Sequence, residues 1–171
     1  IMAVVTLKST AVTNANATPR VPNSIGLEGG TLARVQGFAN IASGDSVTST
    51  YRIGKIRSSD FVDRIRVVSA DIGTTTAADL GLYDLLTATN GGTVVDADFF
   101  ASAVSLNGGA IDSDVTFEAA AAGGLYTNAE KRVWEALGLT SDPGKEYDVT
   151  LGLTGAADAA GTVLVRVYVV R

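Results

Sequence analysis

Histidine and cysteine are absent from this chain of 171 residues, which removes much of the usual catalytic repertoire. A Ser-His-Asp triad lacks its base and a Cys-His pair lacks both members, so neither nucleophilic arrangement can be assembled. Disulfides and thiolate metal sites are likewise excluded, and the fold must be held by packing. Proline is scarce, at 3 residues, while hydrophobic residues make up 46% of the chain, which together exclude a collagen-like or wholly disordered polymer. No apolar run approaches the ~20 residues a membrane-spanning helix needs. The opening "IMAVVTLKST" lacks the basic flank and cleavage-type end of a signal peptide, so no secretion signal is expected. Phosphate-binding loops are missing too. The Gly-Lys pair of "IGKI" has Ser49 where a P-loop needs its first glycine and Ile56 where it needs Ser or Thr.

What is present is alternation with period 2, the pattern that sends successive side chains to opposite faces of a sheet. In "EYDVTLGLT", Val149, Leu151 and Leu153 share one face, and in "TVLVRVYVV" Val163, Val165, Val167 and Val169 do the same. In "VTSTYRI", Tyr51 and Ile53 oppose Arg52; in "DRIRVV", Ile65 and Val67 oppose Arg64 and Arg66. Further strands are expected at "MAVVTL", "LARVQGFA", "DLGLYDL" and "DVTFE", separated by turn clusters such as "TNGGT" and "LNGGA". "DADFFASAVSL" fits both periods, helical at Phe100 and Val104 and extended just before. The fold class that follows is all-β, a jelly-roll-like antiparallel β-sandwich of about seven or eight strands.

One short helix, about 127–138, is expected to interrupt it. Thr127 and Glu130 have capping-box spacing, Val133, Trp134 and Leu137 form an apolar stripe, and Gly138 is placed to end it. Residues 9–31 follow neither period, so residues 1–31 are expected to form an extended N-terminal arm and residues 32–171 the β-sandwich domain.

Two acidic pairs, Asp96/Asp98 and Asp112/Asp114, are the remaining candidates for chemistry. In a strand each would place two carboxylates on one face about 6.6 Å apart, a spacing suited to a glycosidase dyad or a shared calcium ion. Both pairs also sit beside Gly-rich turns, where Asp is favoured for its local backbone hydrogen bonds, and neither is joined by a run of further oxygen ligands. They are weak calcium candidates. No catalytic residue and no cofactor is expected.

Basic residues gather elsewhere. Residues 51–66 hold Arg52, Lys55, Arg57, Arg64 and Arg66, five of the chain's 13 Lys and Arg, although the formal net charge is -5. Asp60 and Asp63 lie inside the cluster and the isoelectric point is about 4.6, so nucleic acid is not the expected partner. Between Val67 and Glu130 the sign reverses, with nine acids and no Lys or Arg. The cluster reads either as a solvated strand face that discourages edge pairing or as a docking surface, with opposite fields suited to contact between copies.

Five stretches, "ASGDSVTSTYRIGKIRSSD", "ADLGLYD", "GGTVVDADFFASAV", "TNAEKRVWEALGL" and "EYDVTLGLT", taken in this order, resemble the head decoration, or cement, proteins of tailed bacteriophages and span most of residues 40–171. The resemblance implies a jelly-roll sandwich on the outer surface of an icosahedral capsid, commonly a homotrimer, that stabilises the shell by bridging subunits of the major capsid protein. It implies no enzymatic site, small-molecule substrate or membrane partner. A polar arm fits, because an extended segment can order on a neighbour and add interface. The alternative within this fold class is a glycan- or receptor-binding sandwich of a phage fibre or spike. Trp134, the one tryptophan, lies on the apolar stripe of the expected helix, a poor position for stacking on a sugar.

Overall fold

In the computed structural model, which describes residues 7–87, 92–118 and 127–171, every stretch of strong alternation is a strand. Among the described residues the strands are β1 (Leu32–Ile41), β2 (Thr50–Arg57), β3 (Phe61–Ser69), β4 (Ala77–Asp84), β5 (Val94–Ser105), β6 (Ile111–Asp114), β7 (Glu146–Leu153) and β8 (Gly161–Val170). They pair antiparallel into two four-stranded sheets, ordered β1-β8-β3-β6 and β2-β7-β4-β5. This order is that of a jelly roll, two Greek keys folded into facing layers.

The core lies between the layers. Val163, Val165, Val167 and Val169 of β8 are fully buried, as are Val149 and Leu151 of β7, Leu80 and Leu82 of β4, and Ile65 and Val67 of β3. Each such side chain contributes about 1.5–3 kcal/mol by leaving water, so the alternating positions of the central strands supply most of the driving force. Along one side the sandwich is closed by β1 crossing onto β2. A Cβ at Gly37 would stand 2.2 Å from the Ile53 carbonyl oxygen, and one at Gly54 would stand 2.3 Å from Val35 Cγ1, so glycine at both positions is what lets the two backbones approach.

β5 resolves the ambiguity of "DADFFASAVSL" in favour of strand, with a reason for the mixed signal. Its register against β4 jumps three times, and Leu80 and Leu82 face Ala101 and Asp96. The extra residues bulge, which turns Phe99, Phe100 and Ala101 inward in succession and destroys the alternation. Phe99 and Phe100 then pack edge to face, 4.7 Å between centroids, with Phe117 5.7 Å from each.

Three expectations need correction. Within the expected helix about 127–138, Thr127 and Val133–Ala136 (α2) are α-helical, with bends and turns at 128–131 between them. Its cap is Arg132 with Glu135, whose carboxylate accepts the Arg132 N–H at 2.7 Å, in place of Thr127 with Glu130. Backbone bonds from Val133 and Trp134 to the Asp60 and Ser58 carbonyls, both 3.0 Å, tie α2 to the β2–β3 turn and limit its length. In "DVTFE" the strand ends at Asp114, because the Asp114 carboxylate accepts from the Thr116 hydroxyl and N–H at 2.6 and 3.1 Å and turns the chain. Residues 9–31 are not extended throughout: α1 (Thr10–Ala15) is capped by Ser9 Oγ, which accepts the Val12 N–H at 3.3 Å. Asn23 donates to the Glu28 carboxylate at 2.7 Å and accepts from Asn14 at 3.0 Å, so side-chain bonds replace periodicity as the organising pattern. Most of "MAVVTL" falls outside the described residues, and Leu7 is not in a strand.

Candidate functional site

β2 and β3 are consecutive in sequence but belong to opposite sheets, so the basic stretch of residues 51–66 is divided between the two outer faces of the sandwich. Arg52, Lys55 and Arg57 lie on β2, Arg64 and Arg66 on β3. Arg52 is engaged within its own sheet. Its guanidinium sits 4.5 Å from the Tyr83 ring centroid, donates to Thr150 Oγ1 at 3.1 Å and the Gly92 carbonyl at 2.8 Å, and lies 3.9 Å from the buried Asp148 carboxylate. Lys55 and Arg57 are exposed.

On the outer face of the other sheet, antiparallel register lines side chains up in rows across the strands. Arg34 of β1, Tyr168 of β8 and Arg64 of β3 form one row. Gln36, Arg166, Arg66 and Asp114 form the next, in which Arg166 Nε donates to Gln36 Oε1 at 3.0 Å. Phe38, Leu164, Val68 and Asp112 form a third, with Phe38 61% exposed. Arg166 and Arg66 stand directly opposite each other, an arrangement of like charges that costs the sheet stability. Sequence reasoning singled out Arg64 and Arg66 but not Arg34, Arg166, Tyr168 or Phe38. The signal was there: they occupy the positions alternate to the buried ones in "LARVQGFA" and "TVLVRVYVV".

Asp112 and Asp114 on β6 face these arginines. Asp112 accepts from Arg66 at 2.7 and 3.2 Å, and Asp114 lies 3.7 Å from Arg64. Each carboxylate of this weak calcium pair therefore has a guanidinium as neighbour. Asp96 and Asp98 instead have each other as neighbours. Burial, reinforced by the neighbouring Asp98 carboxyl, pushes the Asp96 carboxyl above the usual range. Asp96 lines an open cleft with Val95, Leu137, Leu139, Pro143 and Tyr147. Among the described residues no group of three or more Asp and Glu is arranged to hold a metal ion. Trp134 is half-buried and its indole N–H points inward without a hydrogen-bond partner among the described residues, unlike the open aromatic platform a sugar site requires.

The arm carries an unusual share of exposed apolar surface. Leu7 (87% exposed), Val12, Val21 and Ile25 all lie within 19 residues, and α1 buries none of its side chains.

No family model matches the chain, and no curated protein does. Solved structures do. A chain of the Cyanophage Pam1 capsid asymmetric unit superimposes with a TM-score of 0.50 at 17% identity, covering 83% of this chain and 86% of that one. A chain of the capsid of Ralstonia phage GP4 superimposes with a TM-score of 0.54 at 14% identity, covering 88% of each. At these identities the likeness establishes the shared fold across most of both chains.

Proposed function

We propose that this chain is a non-enzymatic structural protein of a bacteriophage particle, a decoration protein that binds the outer surface of the capsid and stabilises it by bridging subunits of the major capsid protein as a homotrimer. The observation that carries the proposal is the match of fold and extent to chains of two phage capsids, over 83% and 88% of this sequence. Two features support it. Apolar side chains on the arm, Leu7 above all, are exposed in the isolated chain and would be buried by a shell or a neighbouring copy. The sandwich is also closed by packing, as a rigid clamp requires.

In this reading residues 1–31 act as the tether and residues 32–171 as the body. A bridging protein stabilises its shell because contact area shared across a joint is lost when the joint opens. Deleting residues 1–31 is expected to leave the sandwich folded by circular dichroism while weakening binding to isolated capsids at least tenfold in co-sedimentation. Unchanged occupancy would remove the tether, and no binding by the full chain to any phage head would remove the proposal.

A further inference from the structure

Charge is gathered into patches on the two layers. β1, β8 and β3 together carry four arginines (Arg34, Arg64, Arg66, Arg166) and one acid (Asp63), whereas β4 and β5 carry four aspartates (Asp79, Asp84, Asp96, Asp98) and no Lys or Arg. The first set lies in one sheet and the second in the other, but β6 adds Asp112 and Asp114 to the first sheet and β2 adds Arg52, Lys55 and Arg57 to the second. The charges thus form two local patches, one over β1-β8-β3 and one over β4–β5, where Asp84 is already paired with Lys145 at 2.7 Å. Of the arginines, Arg66 has Asp112 and Arg64 has Asp114 nearby, but among the described residues neither Arg34 nor Arg166 forms an ion pair. Arg166 has a neutral partner, Gln36, and a like charge directly across the sheet in Arg66. Beside these arginines runs the apolar row of Phe38, Leu164 and Val68. Cations without counter-ions, an exposed aromatic and a neighbouring apolar row are the composition of a docking surface, in which the apolar centre supplies affinity and the charges select the partner.

We propose that this outer face of the β1-β8-β3-β6 sheet, centred on Phe38 and Arg166, docks a second copy of the chain through that copy's acidic β4–β5 side. Charge complementarity selects this occupant over a face-to-face pair, which would offer Arg34 and Arg166, the two arginines of this face without an ion pair among the described residues, only the partly neutralised basic face of the other copy. Contact between two different surfaces of identical chains is head-to-tail and closes into a ring when its rotation permits. The inference rests on the homo-oligomeric part of the proposed function and names the surfaces that would make it; it is independent of attachment to a shell.

The full chain is measured by light scattering across a concentration series, and self-association that weakens with rising salt is expected. The double variant Arg34→Glu/Arg166→Glu should weaken association at least tenfold, as should Asp79→Lys/Asp98→Lys. Mixing the two variants should restore it in part, because every joint between unlike variants regains opposite charges while a joint between like variants in an odd-membered ring does not. Phe38→Ser, which keeps every charge, should weaken association without changing its salt dependence. Circular dichroism confirms that each variant is folded; should a double variant unfold, Phe38→Ser with the salt series decides. A chain that stays monomeric throughout, or an oligomer indifferent to Phe38→Ser and to both folded double variants, overturns the proposal. Capsid co-sedimentation separates the two readings: a full chain that self-associates through these faces but binds no phage head counts against the shell reading alone, whereas a variant that loses capsid binding and still self-associates normally counts against the docking assignment.

Discussion

The Arg171 guanidinium bonds both carboxylate oxygens of Asp60, at 3.0 and 3.1 Å, and so fastens the residue after β8 to the turn between β2 and β3. Asp60 is 1% exposed and also accepts the Arg57 N–H at 3.0 Å, while its carbonyl accepts from Val133 at the start of α2. Replacing Arg171 with Ala would leave a buried carboxylate without its counter-charge, and losing one partner of such a pair costs about 3 kcal/mol or more. Urea unfolding of Arg171→Ala should show that loss, and Asp60→Asn in the Arg171→Ala background should recover part of it.

Gly81 of β4 lies beneath the bulge of β5, where an added Cβ would stand 2.2 Å from the carbonyl oxygens of both Asp96 and Ala97. Backbone on that side cannot yield as a flexible side chain would. Gly81→Ala is therefore expected to lose about 2–3 kcal/mol through overpacking. At Gly152 the same addition meets Tyr83 Oη at 3.6 Å and Thr50 Cγ2 at 4.0 Å, both ordinary contacts, so Gly152→Ala should be close to neutral in the same thermal melts.

Because its folded-state pKa is raised, Asp96 holds its proton more tightly in the folded chain than in the unfolded one. Its contribution to stability is fully present below the ordinary aspartate value, near 3.8, and is lost as pH rises through the higher folded value. Asp96→Asn should raise the melting temperature at neutral pH, and the gap from the parent chain should shrink on acidification towards pH 3.8 and below.

Tyr51 gives the opposite end of the pH scale. Burial, aided by the hydrogen bond its hydroxyl donates to Asp45, pushes the phenol up to about 12. The stability this confers is complete below pH 10 and disappears as pH climbs through about 12. Tyr51→Phe should lower the melting temperature at neutral pH and remove a late-titrating phenolate from the ultraviolet spectrum.

Much of the sandwich was legible because β8 buries one complete alternating set and leaves the other half-exposed, and β7 puts Tyr147, Val149, Leu151 and Leu153 on one face, although its other face, with Asp148 and Thr150, is also buried. The β5 bulge defeated the same logic by burying Phe99, Phe100 and Ala101 consecutively. α2 was overextended because Thr127 and Glu130 satisfy a capping pattern, whereas the tertiary bonds from Ser58 and Asp60 that start the helix later have no local signature. The basic stretch was visible as composition but not as a surface. Whether Arg52 and Arg66 share a side depends on which sheet receives β2 and which receives β3, and that is decided by long-range pairing with β7 and β8.

Thr31 and Arg171 exchange backbone hydrogen bonds of 2.9 and 3.0 Å, placing the root of the arm and the residue after β8 side by side. A fusion joined behind Arg171 would thus emerge next to the segment proposed as the tether, and a bulky cargo there would crowd that segment. A loop remote from that corner, such as the Gly108–Gly109 turn with its open surroundings, is the better position for display.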